Sequence, residues 1–331
     1  MTSPYRTFRE QSRHYFARPH HGLPTQPIQS PAAWLGEQQR KQTDHWLIEL
    51  SQQDIDTIDR ATEYVMQSGT PTERITHGDF PLPGLAQKIA NWRATLADGR
   101  GFCVIRGLPV DAWGETKSGV AFWGIGHHLG APGAQNPQGD LLGHVIDYGE
   151  EKSQPNVRRY RTTGNIDFHC DAADVVGLLC LNAAKVGGQS RIASSVSVFN
   201  QVLMSMPEAA GRLFEPFALD LRDEQGPRQR GYMPVQPCCF GADGKLRTFY
   251  HSEYFRSAQR LEGVQIDPIA MQLLDAYDEF CASDKVYLDM WLAPGDMQFV
   301  SNHTTMHART GYEDWPEPER RRHLLRLWLS L

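Results

Sequence analysis

Phe168-His169-Cys170-Asp171, set in apolar sequence and answered far along the chain by His307 and by Arg322 and Arg326, is the stretch that decides how this protein folds. In a strand successive side chains alternate faces, so His169 and Asp171 point the same way. One further imidazole alongside them completes a two-histidine, one-carboxylate metal face, which leaves coordination positions open for chemistry. Taken alone, His-x-Asp suits a solvated polar pair at a strand end equally well.

The surrounding sequence supplies the context. A Pro294-Gly295-Asp296 turn leads into Met297-Gln298-Phe299-Val300 and then Ser301 to Arg309, where His303 and His307 share strand parity and compete for the third ligand position. His303 is expected in the turn between two strands, as an ordinary exposed histidine. Along the last strand, Arg322, Leu324, Arg326 and Trp328 alternate with His323, Leu325, Leu327 and Leu329. Both faces are largely apolar, so the strand reads as buried on both sides with two guanidiniums carried inward. An inward arginine is costly unless an anion meets it, and this strand holds no acid that could. An anionic ligand is therefore expected.

Working outward, strand-like runs span Leu142–Ile146, Val176–Asn182, Arg191–Ser194, Leu246–Tyr250, Val286–Leu292, Met297–Val300 and His323–Leu329, with helical patterns around residues 113–128, 197–215 and 267–282. Many short strands with Gly/Pro turns predict a sandwich or barrel, and the helices predict a layer packed outside it. Ser51-Gln52-Gln53-Asp54 marks a helix start. Residues 1 to about 43 carry little apolar periodicity and are expected to form an arm or loosely packed extension.

At 331 residues and 40% hydrophobic content the chain can bury a large core. No apolar run is long enough to span a bilayer, so no membrane partner is expected. A net charge of -6 gives no general attraction to phosphate backbones, and nucleic acid is not the expected partner. The six cysteines include no CxxC pair and read as reduced, buried thiols, which fits a cytoplasmic protein.

In order along the chain, Phe168-His169-Cys170-Asp171, Gly187-Gly188-Gln189-Ser190, the Pro-Gly-Asp turn, Asn302 to His307-Ala308-Arg309 and Arg321-Arg322-His323-Leu324-Leu325-Arg326 resemble the pattern of the TauD/TfdA family. Its members are Fe(II)- and 2-oxoglutarate-dependent oxygenases built on a double-stranded β-helix. The resemblance covers roughly residues 80 to 331, and the ordered set is far more specific than any one motif. It implies a mostly β, jelly-roll (cupin-like) core with flanking helices; residues 1–80 match no part of that pattern and are read from their own sequence as an N-terminal arm and helical extension. It also implies a helical insert or active-site lid over residues 196–285, including the mobile-looking Asp223-Glu224-Gln225-Gly226-Pro227.

Carried over by position, the resemblance implies that His169, Asp171 and His307 hold the iron and that Arg322 grips the distal carboxylate of 2-oxoglutarate through parallel hydrogen bonds. Ser190 lies where the family often has a threonine whose hydroxyl meets the same carboxylate. Arg326 falls where taurine dioxygenase places an arginine toward its anionic substrate, and Gln135, Asn165 and Tyr250 are further candidate substrate contacts. The implied reaction consumes O2 and 2-oxoglutarate and oxidises a C–H bond, most simply by hydroxylation, with succinate and CO2 released. The substrate implied is a small carboxylate or sulfonate, and a homo-oligomer is compatible with the sequence. Two alternatives use the same residues: a zinc hydrolase, which has no need of the inward arginines, and a noncatalytic small-ligand-binding barrel.

Overall fold

Alternation along the C-terminal strand, His323–Ser330, organises the molecule. Leu325, Leu327 and Leu329 enter an apolar cluster on the helical side with Ile105, Phe122 and Leu179, whereas Trp328 enters the cluster between the sheets with Val176, Ile192 and Val300. The strand is thus buried on both faces, as its sequence predicts. The computed structural model describes residues 5–149, 162–224 and 230–331; residues 225–227 of the expected mobile segment lie outside these.

Two sheets face each other. In the larger, the strands run in the order Leu47–Glu49, Phe102–Arg106, Met297–Ser301, Val175–Asn182, His323–Ser330 and Ala131–Gly133, with Leu142–Val145 also paired to the C-terminal strand. The smaller runs Tyr287–Met290, Ser190–Ser194, Thr305–Arg309 and Ile166–His169. Every pairing in both sheets is antiparallel except that of the first two strands of the larger. This is a double-stranded β-helix, and the sequence-predicted strands match the observed ones to within a few residues.

Helices Gln52–Gln67, Ala86–Ala97 and Val110–Leu129 cover the outer face of the larger sheet. The first starts at a reciprocal cap: Ser51 Oγ accepts from the Asp54 backbone N–H while the Asp54 carboxylate accepts from the Ser51 N–H. Residues between Ser194 and Tyr287 build a third apolar cluster from helices Ser195–Ser205, Ser252–Ser257 and Pro268–Cys281. Two hairpins, Phe217–Asp220 with Tyr232–Val235 and Cys238–Phe240 with Leu246–Thr248, share that cluster, so this segment is less helical than its periodicity suggests. All six cysteines are free and buried.

The N-terminal segment departs most from expectation. Phe8–Phe16 is a helix with its own cap, Thr7 with Glu10, and Tyr15 is buried with its hydroxyl 2.9 Å from the carbonyl oxygens of both Thr248 and Asn302. Further on, Trp34 and Trp46 are buried, each donating its indole N–H to a backbone carbonyl. Gly36 passes so close to Tyr287 that a Cβ would overlap its carbonyl. Isolated aromatics spaced along an aperiodic chain anchor it as firmly as a periodic face does, and they leave no periodicity to read.

Candidate functional site

Strand register brings the predicted ligands together. His169 ends the Ile166–His169 strand directly opposite His307 on Thr305–Arg309, and their rings lie 4.2 Å apart between centroids. Asp171, two residues on, turns its carboxylate between them: Oδ1 is 3.9 Å from His169 Nε2 and Oδ2 is 3.7 Å from His307 Nε2. One donor atom from each of the three lies within 4.8 Å of the others. Cys170, between the ligands, points the other way and is buried.

Neighbouring groups orient these donors. His169 Nδ1 is 2.9 Å from the Asp167 carbonyl oxygen, which can only accept, so Nδ1 carries the proton and Nε2 presents its lone pair. Asn302 clamps the turn, accepting from the Asp171 backbone N–H at 3.0 Å and donating to the Ala173 carbonyl at 2.9 Å. The Trp328 indole N–H donates to Asp171 Oδ2 at 3.0 Å. Burial works to raise the Asp171 carboxyl, but the charges of His307, Arg326 and His169 and the Trp328 hydrogen bond outweigh it and hold the group below its ordinary value. Burial, with His169 and Arg326 adding to it, pushes His307 down to about 3. A carboxylate with a neutral imidazole is the protonation state that a divalent cation requires of its ligands.

Beyond His307 on the same strand, and on the same face, lies Arg309, about 7 Å farther along. Its Nη2 donates to the carbonyls of Thr162 and Gly164, whereas Nε and Nη1 find no partner among the described residues. Arg322 is also buried, with Nη1 unpartnered among the described residues, and the ring of Tyr312 lies 4.8 Å from the Arg309 guanidinium carbon and 5.1 Å from that of Arg322. The Tyr312 hydroxyl stands near Arg322 without hydrogen-bond geometry. Burial, and then the Arg322 charge, depresses Arg309 to about 10, which leaves it charged near neutrality, and burial lowers Arg322 as well. Gly188 makes room: at φ +72° its missing Cβ would stand 3.1 Å from Arg322 Nε. Two buried, like-charged guanidiniums, incompletely paired among the described residues, make a chamber suited to an anion.

Arg326 reaches the other side of the triad, with Nη1 4.0 Å from Asp171 Oδ2. It lines a cavity of about 1170 Å³ together with His169, Asp171, His251, Tyr254 and Trp328. The N-terminal helix forms one wall through Phe8, Arg9, Ser12, Arg13 and Phe16. Neither that wall nor His251, which stacks on Tyr254 at 3.6 Å beside His169, was among the residues singled out from the sequence. Arg309 carried a readable signal in its parity with His307, and its neighbour across the turn, Tyr312, carried none.

The other sequence candidates occupy supporting places. Gln135 is buried behind Arg326, accepting from its Nε at 2.6 Å and donating to its carbonyl at 2.8 Å, so it positions that arginine. Asn165 accepts from the Gly311 backbone N–H and braces the loop beside the anion chamber. Tyr250, expected to touch substrate, lies outside the cavity lining; it stacks on Tyr277 and donates its hydroxyl toward Asp278 at 2.7 Å. Ser190 sits opposite Arg309 in register, but its hydroxyl donates to Gln298 Oε1 at 2.8 Å. His303, expected to be exposed, is covered by Tyr15 stacked at 4.7 Å and bonded to Asp174 at 2.8 Å.

Known proteins resemble this chain over most of its length. The model of the taurine catabolism dioxygenase TauD, TfdA family matches residues 67–328. FR-33289 synthase of Streptomyces rubellomurinus is 29% identical over 311 residues, covering 92% of this chain and 91% of its own length. The taurine hydroxylase-like protein SAT17 of Stachybotrys chartarum is 27% identical, covering 89% of this chain and 77% of its own. Among solved structures, asparagine oxygenase in complex with Fe(II), 2S,3S-3-hydroxyasparagine and succinate superposes with a TM-score of 0.66 at 20% identity, over 86% of this chain and 93% of that one. The non-heme iron oxygenase OrfP in complex with Fe and alpha-ketoglutaric acid gives 0.63 at 17% identity, over 86% and 94%. No helix among the described residues is long and apolar enough to cross a membrane.

Proposed function

Because the chain belongs to the taurine catabolism dioxygenase TauD, TfdA family, we propose that His169, Asp171 and His307 hold its iron and that Arg322, Arg309 and Tyr312 hold the distal carboxylate of 2-oxoglutarate. The protein is an Fe(II)- and 2-oxoglutarate-dependent dioxygenase that oxidises a C–H bond of a small molecule, with O2 as the third reactant. When bound, iron with 2-oxoglutarate and O2 supplies an oxidant able to attack an unactivated C–H bond. The convergence of two imidazoles and one carboxylate within 4.8 Å, beside buried guanidinium nitrogens unpaired among the described residues, carries this assignment.

Each residue then has a physical task. The Asp167 carbonyl and the Trp328 indole fix the donor atoms of His169 and Asp171, which tightens metal binding without touching the metal. Arg309 stands about 7 Å from His307 along one strand face, a span suited to a five-carbon dicarboxylate with one end at the triad. Ser190 faces the same chamber, and its hydroxyl reaches the carboxylate only by releasing Gln298. Cys170, an oxidisable thiol, is kept on the far side of the strand, and burial raises its pKa to about 12, which removes the reactive thiolate.

Arg326 supports a reading of the substrate class. It enters the cavity beside Asp171 with its side chain held by Gln135, and from there its guanidinium can donate charge-assisted hydrogen bonds to a small carboxylate or sulfonate. The ligands named in the asparagine oxygenase and OrfP structures, hydroxylated asparagine and hydroxylated arginine, also carry a carboxylate.

Anaerobic titration of the apoprotein with Fe(II) and 2-oxoglutarate tests the cofactor site. The expected result is the weak visible charge-transfer band of the chelate, with 2-oxoglutarate affinity about tenfold to hundredfold lower in Arg322→Ala and in Arg309→Leu, as for loss of a charge-assisted hydrogen bond. Iron uptake without the band in the wild type, or unchanged affinity in both variants, overturns the arginine assignment. For the substrate, Arg326→Leu is expected to raise KM for an anionic substrate about tenfold or more while leaving 2-oxoglutarate affinity close to wild type. Equal turnover of that substrate by the variant would remove Arg326 from the reading.

A further inference from the structure

A second cluster of ligating side chains lies apart from the triad. Glu115, His144 and His323 bring one donor atom each to within 4.8 Å of one another. His144 Nδ1 stands 2.8 Å from His323 Nε2, and carboxylate oxygens of Glu115 lie 3.8 Å from Nδ1 of each histidine.

Three separate elements build this cluster, and each shows a local device that aims its side chain. His144 lies on the Leu142–Val145 strand, opposite Leu325 of the C-terminal strand. His323 begins that C-terminal strand two residues before Leu325, so alternation puts it on the same face as Leu325 and Leu325's partner His144. Glu115 follows Gly114, whose φ of +69° interrupts the Val110–Leu129 helix and starts its long second half. One turn later the helix rides on Leu325 and Leu142 at Gly119, which sets Glu115 over the two imidazoles.

The chemistry of the set is specific. Two nitrogens and one carboxylate suit a borderline divalent cation such as Zn(II), Co(II), Ni(II) or Cu(II), whereas Mg(II) and Ca(II) prefer all-oxygen sites. With metal–nitrogen bonds of about 2.0–2.1 Å, two cis imidazole nitrogens stand about 3 Å apart, close to the separation already present. His323, with a side chain only 17% exposed, is the fixed member; Glu115 and His144, at 57% and 41%, have room to close and leave the remaining positions to water.

We propose that Glu115, His144 and His323 form a second transition-metal site, separate from the catalytic triad and formed without its residues. Because Arg322 immediately precedes His323, a cation here fixes the strand end from which Arg322 reaches into the anion chamber. The competing arrangement is an imidazole pair joined by one hydrogen bond, with no cation.

Equilibrium dialysis of the full chain against Zn(II) near neutral pH, with bound metal counted by mass spectrometry, separates the two. A His169→Ala/Asp171→Ala protein, deprived of the triad, is expected to retain one equivalent of Zn(II). Adding His323→Ala is expected to remove it, and Glu115→Gln or His144→Ala in the same background is expected to weaken binding at least tenfold. Co(II) in place of Zn(II) should give visible absorption that disappears with the same variants. Glu115 and His144 are surface side chains, so their variants keep the fold, which circular dichroism checks. If the triad-deleted protein binds no zinc, or if the bound equivalent survives the His144 and His323 substitutions, the site does not exist and the two imidazoles are a hydrogen-bonded pair.

Discussion

Asp171→Ala is expected to abolish turnover, by well over the roughly hundredfold loss that follows removal of a group merely orienting a metal ligand, while the protein stays folded. The carboxylate is the one anion in the donor set and the group nearest both histidines, so its loss removes charge neutralisation as well as a ligand. The fold survives because the turn is held by the backbone: the Asp171 N–H is bound by Asn302, and Asn302 is in turn bound to Ala173. Succinate release, the visible band of the iron–2-oxoglutarate chelate and the far-ultraviolet circular dichroism spectrum read the three parts of this prediction. Full activity in the variant would sink the metal assignment.

Tyr15→Ala is expected to destabilise the protein by about 3–5 kcal/mol, the range for removing a fully buried aromatic side chain. Its ring stacks on His303 and meets Phe16 and Phe249, and its hydroxyl reaches the Thr248 and Asn302 carbonyls. Asn302 is the residue that clamps the Asp171 turn, so the N-terminal helix and the metal face share one brace. Tyr15→Phe keeps the ring and should cost only about 1–2 kcal/mol. Urea denaturation followed by circular dichroism measures both. A Tyr15→Ala protein within about 0.5 kcal/mol of wild type, the range of an inert surface change, would mean that the helix is a dispensable arm.

These two residues mark opposite ends of what was readable. Asp171 stands in a pattern whose meaning is local: strand alternation places it with His169, and the ordered set of motifs supplies the rest. Tyr15 lies in aperiodic, polar sequence, and nothing nearby along the chain indicates that residues 248 and 302 will close over it. His303 went the same way. It sits in the expected turn, yet the N-terminal helix buries it against Tyr15, and His14 and His303 meet Asp174 from two sides.

The anion chamber shows the same division. Two inward guanidiniums on the last strand followed from alternation between leucines, and Arg322 and Arg326 do face the interior. That they serve different compartments is decided by what surrounds them: Arg309, Tyr312 and Gly188 around Arg322, and Gln135, Asp171 and the cavity around Arg326. Ser190 and Tyr250 looked alike as polar residues available for a ligand, but Gln298 and Asp278 take up their hydroxyls.

Alternation along single strands determined the strand periods, the shared face of His169 and Asp171 and the inward placement of the two arginines, because each depends on residues two apart, while the jelly-roll class and the choice of His307 over His303 came from the resemblance of the ordered motifs to a family. Tertiary structure alone decided that the N-terminal segment walls the cavity, that Arg309 and Tyr312 join Arg322, and that His144 and His323 meet Glu115. Those contacts join residues separated by tens to hundreds of positions, and their energy comes from shared burial and paired charge, which leaves no periodic trace in the chain.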